Sequence, residues 1–533
     1  MYHNLKSILL TLFAAVLVWS CESELELQPE DNRQSAETVF QDDESYKQFL
    51  AKLYAGLAIS GQEGPAGDPD LAGLDEGFSQ YMRLYFMMQE LTTDEAVIGW
   101  NDGTIKDLHS QNWTSGNEFI RTMYSRLLYQ VALTNEFLRQ TTPALLDSRG
   151  VDGETRANIE TYRAEARFLR ALAYYHSLDL FGNPPFVTEE DPIGAFLPEQ
   201  IQRSALFDYV ESELLDIEDD LIAAGQNEYA RADQGAAWML LSKLYLNARV
   251  YTGEDRSSDV ITYTEKVINS GYQLTDNYQK LFLADNNSNG AQNEIIFPVA
   301  FDGQKTQSYG GMTFIIHASI GGDMDPENFG VNSGWAGLRT TSALVNKFLD
   351  DNDNPIEEVE DQRALFFSEG QSKEINDISS FTDGFAVTKY KNVDVNGNQG
   401  SDATGEFPDT DFPMFRLGDA YLMYAEAVLR GGGGSQGTAL GYINDLRERA
   451  GAETVSASDL NLEFILSERA RELYWEAHRR TDLIRFNQFS ENGIWPFKGG
   501  VPQGATTQAF RNLMPIPASD LGVNTNLTQN PGY

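Results

Sequence analysis

The chain has 533 residues, 41% of them hydrophobic and 11% aromatic, with 80 Asp and Glu against 39 Lys and Arg for a net charge of −41. That length calls for several domains or one large composite unit, and the charge argues against nucleic acid and anionic headgroups as partners. With a single cysteine, no disulfide can form within the chain and no thiolate metal cluster can be built.

In chain order, Met1–Lys6 is short and mildly basic. Ile8–Trp19 is an apolar run of signal-peptide length, too short for a spanning helix. The lone cysteine, Cys21, follows directly. A thiol at that place points to acylation: residues 1–20 are read as a lipoprotein signal peptide and 21–38 as an acylated tether. Trp19 is bulky for such a cleavage site. No later apolar run is long enough to cross a bilayer.

Residues 39–533 are read as one unit. A helical scaffold is expected mainly over 39–284 and 413–490, and a loop-rich part with short strands over about 285–412. Tyr46, Phe49, Leu50, Leu53, Tyr54 and Leu57 recur at helical spacing. Gly61–Gly77 is a Gly, Pro and Asp-rich loop, and 78–90 is helical again. Trp100, Asn101, Asp102, Gly103 and Trp113 sit in a polar, loop-like stretch over 94–117. Further helices are expected near 118–139, 157–180, 204–224, 232–251 and 257–270, and later over 415–430, 437–450 and 461–488. Small residues and tyrosines on these segments give a degenerate tetratricopeptide-like pattern of helix pairs. Between 285 and 412, Ile295–Phe297 and Thr313–Ile316 are short apolar runs read as strands. Loops on a rigid scaffold are where binding residues usually sit.

Several motifs fail on context. His109, His176, His317 and His478 are far apart and form no His-Glu-x-x-His pattern, so they are read as structural. Gly432–Gly437 fits both Gly-x-Gly-x-x-Gly and Gly-x-Ser-x-Gly, but it follows a helix where either motif needs a strand. An EF-hand starting at Asp351 would need Gly and Glu where Ile356 and Gln362 stand. A calcium ion held by scattered loop carboxylates stays open, and no other cofactor is expected. With 80 acidic residues, a glycosidase-like pair could be drawn anywhere and carries no weight without geometry.

Four markers resemble the SusD/RagB family of nutrient-uptake outer-membrane lipoproteins of Bacteroidetes. They are Arg163–Ala171 running on to Leu180-Phe181-Gly182; Phe415–Leu422 with Ala425-Glu426-Ala427; Glu468–Leu473 with Arg479–Phe486; and Pro515-Ile516-Pro517 with the ending Gln529–Tyr533. The resemblance implies a mostly α fold, in which a tetratricopeptide-like helix-pair scaffold carries a loop-rich ligand-binding part. It also implies a cell-surface, lipid-anchored place in the outer membrane and a SusC-like TonB-dependent transporter as partner.

Within the family, Gly61-Gln62 to Leu71, Leu74–Gly77, Glu90–Glu95, Tyr309–Gly311, Gly334-Trp335 and Asp383-Gly384 resemble the starch-binding members. On that resemblance an aromatic arc falls on Trp100, Tyr309 and Trp335. The polar partners fall on Asp75, Arg83 and Asn101, with Asp102 and Gly103 as competing alignments of the last. Ile98 stands where a further arc tryptophan is expected, which implies a smaller platform. These residue types suit sugar binding, since an aromatic plane covers the C–H face of a pyranose while Asp, Asn and Arg pair with its hydroxyls. Trp113, Trp238 and Trp475 are read as core, the last two on helices. The expected function is capture of an α-glucan and delivery to the transporter, with no bond made or broken. The rivals are another glycan or a peptide, a surface glycoside hydrolase, and a structural lid without a ligand site.

Overall fold

The computed structural model describes residues 40, 43–349 and 355–533. The signal segment, Cys21, the tether and Asp350–Asn354 lie outside the described residues. Among the described residues no helix is long and apolar enough to cross a membrane.

The fold is mostly helical. Its longer helices are α1 (Asp43–Ala58), α2 (Tyr81–Gln89), α3 (Glu118–Gln140), α4 (Gly153–Leu180), α5 (Arg203–Ile217), α6 (Gln234–Leu246), α7 (Ser257–Ile268), α8 (Gly311–Ala318), α9 (Leu417–Leu429), α10 (Gln436–Arg449), α11 (Leu462–Leu473) and α12 (Arg479–Arg485). Short polar side chains start many of them: Asn117, Asp233, Ser435 and Asn461 each accept a backbone N–H of the first turn. Neighbours in sequence pack together, α3 on α4, α4 on α5, α6 on α7 and α9 on α10, while α7 against α9 joins the helices before and after the loop-rich part. Burial is nearly continuous, with one large core and a small satellite of Phe40, Tyr46, Leu146 and Ile159.

Among the described residues three two-stranded antiparallel pairs pin the loops. β1 (Val97–Ile98) pairs with β3 (Leu338–Arg339), β2 (Ile295–Val299) with β6 (Phe412–Arg416), and β4 (Phe366–Phe367) with β5 (Ala386–Val387).

Four expectations change. Thr313–Ile316 is helical, inside α8, and every residue of that helix is buried; a short apolar run fits a buried helix as well as a strand. Phe415 and Arg416 are strand and not the start of a helix. The helix expected over 461–488 is broken between α11 and α12, where Trp475 and Ala477 take positive φ of 62° and 61°. Trp475 is therefore core in a turn, 1% exposed. Trp238 is on α6 but only partly buried, its indole N–H given to Glu218 at 2.8 Å.

A network of buried ion pairs knits the C-terminal helices. Arg416 donates to Glu476 at 2.6 Å, Glu472 at 2.7 Å and Glu294 at 3.0 Å. Arg363 reaches Glu468 at 2.8 Å and Asp361 at 2.7 Å, and Arg469 bridges Asp482 and Asp419 at 2.7 and 2.8 Å. Burial works to raise these carboxyls, but the surrounding arginines outweigh it and hold Glu468 down at about 2, with Glu472 and Asp482 also well below the usual carboxylate range.

Candidate functional site

Pairing of β1 with β3 carries two distant tryptophans together. The ladder continues one step past β1, where the Gly99 N–H donates to the Gly337 carbonyl at 3.0 Å. Trp100 then lies over the Gly337 backbone, and a Cβ on Gly337 would come within 2.4 Å of the indole. Only glycine allows that approach. The Trp100 indole N–H donates to the Trp335 carbonyl at 3.1 Å.

Trp335 is fixed from behind. The N–H groups of Trp335, Ala336 and Gly337 donate to the carbonyls of His317, Ile320 and Ala318 at 2.7, 2.9 and 2.8 Å, so the last turn of α8 and the residues after it serve as the loop's anchor. Ala336 makes this turn with a φ of 51°, a left-handed conformation that costs a non-glycine residue about 1–2 kcal/mol.

Tyr309 completes an arc. Its ring centroid is 6.5 Å from that of Trp335 at 47°, and Trp335 is 6.3 Å from Trp100 at 42°. The three rings are partly buried. Tilts of this size mean that the three rings do not form one flat wall.

Arg83 lies on the floor. It is 3% exposed, and its guanidinium is held between the rings of Phe78 and Phe314 at 4.0 and 4.1 Å. One nitrogen donates to the Tyr309 carbonyl at 3.2 Å, while Nε and Nη2 have no partner among the described residues. Burial lowers this guanidinium to about 9, against the opposing pull of Asp75, Asp102 and Glu76; it stays charged at neutral pH. Buried donors without acceptors cost about 1–3 kcal/mol each, and both of these nitrogens are themselves buried, so they are a cost carried beneath the rings.

Asp75, Phe78, Arg83, Trp100, Asp102, Tyr309 and Trp335 line one open depression of about 460 Å³. Asp75 is exposed and accepts the Gly77 N–H at 3.0 Å. Of the six residues expected here, five line the hollow. Asn101 is exposed beside it, and Asp102, its competitor in the alignment, takes the lining place. Ile98, where a further arc tryptophan is expected, is 1% exposed, paired with Leu338 in the β1–β3 ladder, and offers no surface to a ligand. Phe78 escapes sequence reasoning because a lone phenylalanine beside a helix start reads as core.

A larger hollow of about 540 Å³ is lined by Phe486, Trp495 and Lys347 among others. Its tryptophan is 4% exposed, with the Lys498 ammonium 4.1 Å from its ring centroid, so it presents no open ring. Among the described residues no group of three or more His, Cys, Asp or Glu is placed to hold a metal ion.

The SusD family model matches residues 361–533. Over 98% of both chains the sequence is 37% identical to the starch-binding protein SusD of Bacteroides thetaiotaomicron. A SusD-like protein, P2, of Formosa agariphila is 24% identical over 74% of this chain and 78% of its own. Among solved structures, a SusD superfamily protein of Parabacteroides distasonis superposes with a TM-score of 0.70 at 20% identity, covering 94% of this chain and 100% of the other. Surface glycan-binding protein A of Bacteroides thetaiotaomicron, solved with laminarihexaose, gives 0.68 at 18% identity over 92% and 99%. These two structural likenesses speak for the fold alone.

Proposed function

Because the chain belongs to the SusD family, with a starch-binding relative 37% identical over 98% of its length, we propose that it captures an α-glucan at the cell surface and hands it to a SusC-like TonB-dependent transporter. The observation that carries this reading is the set of mutually tilted rings Trp100, Trp335 and Tyr309 lining one open hollow with Asp75, Arg83 and Asp102. An α-linked glucan is itself bent. Its sugar faces can lie on successive tilted rings while hydroxyl oxygens accept from Arg83 and hydroxyl protons go to Asp75 and Asp102.

The site binds and does not cleave. A glycosidase needs two carboxyl groups converging on one bond, one of them kept protonated by its surroundings. The two carboxylates at this hollow, Asp75 and Asp102, are both exposed. Anchoring falls to Cys21, whose acyl chains would hold the protein on the outer membrane. Replacing Cys21 by Ser is expected to release the protein from membranes of cells lacking the transporter; sedimentation of the variant after a high-salt wash would refute the anchor.

Calorimetry across a glycan panel tests the binding role. Linear and cyclic α-glucans are expected to bind, with no reducing ends released in the same tubes. Preference for a flat β-linked glucan would refute the α-glucan assignment. Release of reducing sugar, abolished by one Asp or Glu substitution, would refute the non-catalytic reading.

A further inference from the structure

His317 has the sequence context of a structural histidine, yet it touches both sides of the arc. It sits in the last turn of α8 and is 0% exposed. Its ring stacks on the inner face of Trp335, centroids 4.8 Å apart at 25°. Nδ1 lies 2.8 Å from the Ser333 carbonyl oxygen, two residues before Trp335, and Nε2 lies 2.9 Å from that of Glu406.

Glu406 belongs to a loop that supports the other ring. Asp402 closes the loop by accepting the N–H groups of Thr404, Glu406 and Phe407, each at 3.0 Å. Phe407 packs on Tyr309 with centroids 5.5 Å apart. The Glu406 carboxylate accepts from Asn332 at 3.2 Å, and burial, then this carboxylate, raise the Tyr309 phenol. The imidazole therefore lies between the segment that carries Trp335 and the segment that backs Tyr309.

We propose that His317 is the positioning residue of the platform: by stacking under Trp335 and donating to one of the Ser333 and Glu406 carbonyls between which it lies, it fixes the angle between Trp335 and Tyr309, and so the ligand curvature the site accepts. The curvature clause rests on the α-glucan reading; the ring geometry does not. Both acceptors are carbonyl oxygens, and a neutral imidazole has one N–H for two of them. Burial outweighs the two carbonyls and the nearby Glu406 carboxylate and lowers this imidazole below its ordinary value, so the ring is neutral at neutral pH. In either tautomer one bond ties the ring to a platform loop. A phenylalanine of similar size keeps the stack and loses that bond.

The test uses the protein labelled with 5-fluorotryptophan, with the Trp335 ¹⁹F resonance assigned by its loss in Trp335→Phe. In His317→Phe this resonance is expected to shift or broaden while those of Trp113 and Trp475, which take no part in this contact, stay in place. An unchanged Trp335 resonance overturns the proposal. Calorimetry then compares a cyclic with a linear α-glucan of equal length. The variant is expected to lose affinity for the ring about five-fold more than for the linear chain, the contribution of one hydrogen bond; equal losses for both ligands overturn the curvature clause. If the native chain binds no α-glucan, the functional reading fails while the ¹⁹F shift still decides the positioning role. Should His317→Phe lose the folded signals of Trp113 and Trp475, the native chain's imidazole ¹⁵N–H decides instead. Slow exchange with solvent supports the bond to a loop carbonyl, and fast exchange overturns it.

Discussion

The C-terminal ion-pair network and the aromatic platform both contain buried arginines, but they treat them in opposite ways. Arg363, Arg416 and Arg469 each meet two or more carboxylates. Arg83 at the platform meets aromatic faces and one carbonyl, and keeps Nε and Nη2 without partners among the described residues. Arg339, beside Gly99 in the β1–β3 ladder, likewise gives one bond to the Ile378 carbonyl at 2.6 Å and leaves two nitrogens unpartnered there. A buried charge that is fully paired is structural and has nothing left to offer a ligand. A buried charge left partly unpaired is costly, and Arg449 and Arg480 in the network each carry a smaller share of that cost at Nε.

The largest expected effect lies in the network. Arg416→Met would take one cation from each of Glu294, Glu472 and Glu476, which keep Arg449, Arg363 and Lys389 as partners, and breaking one side of such a buried set costs up to about 3–5 kcal/mol. The urea midpoint should fall accordingly, while glycan affinity per folded molecule stays put. A midpoint within error of the parent would remove the contrast.

Next is acid. Glu468 is held at about 2 against an ordinary value of 4.5. A depressed carboxylate contributes stability that is present above its unfolded value and lost as pH falls through its folded one. Stability should therefore decline as pH drops from 4.5 towards 2, with Glu468 alone contributing on the order of 3 kcal/mol. A urea midpoint flat across that window would contradict the pairing.

The platform should answer the opposite way. Trp335→Ala removes an aromatic plane whose covering contributes about 1.5–3 kcal/mol, or roughly 10- to 100-fold in affinity. Its urea midpoint should move far less than that of Arg416→Met. The smallest effect is Asp75→Ala, a single hydrogen bond in an open site, contributing about 1 kcal/mol and so about five-fold by calorimetry. If Asp75→Ala outweighed Trp335→Ala, ring stacking would not be the main source of affinity.

The same contrast explains what the sequence could show. The stretches that resemble the family, Phe415–Leu422, Glu468–Leu473 and Arg479–Phe486, carry Arg416, Asp419, Glu468, Arg469, Glu472, Asp482 and Arg485, most of the buried network. The ending Gln529–Tyr533 is tied the same way: the Asn530 amide donates to the Phe181 and Met514 carbonyls at 2.8 and 2.7 Å. Charged residues at helical spacing in apolar surroundings are conspicuous, so the scaffold is legible. Platform residues come from segments up to 260 positions apart, from Asp75 to Trp335, and they meet through the β1–β3 pairing, the Arg83–Tyr309 bond and the anchoring of the Trp335 loop on α8. No local pattern announces a two-residue ladder, so sequence alone does not show Ile98 facing inward, nor Asp102 taking the lining place beside Asn101. The break at Trp475 and Ala477 is hidden for a related reason: positive φ in non-glycine residues is set by packing and leaves no mark in composition.

Tilted rings that hold a bent sugar chain are tested most directly by titrating the native protein with a cyclic and a linear α-glucan of equal length. A ring is already bent, so it avoids the ordering cost that a linear chain meets on binding. The cyclic ligand is expected to bind at least as tightly as the linear one; clearly weaker binding of the cyclic ligand, or tighter binding of a flat β-linked glucan than of either, would contradict the curved platform.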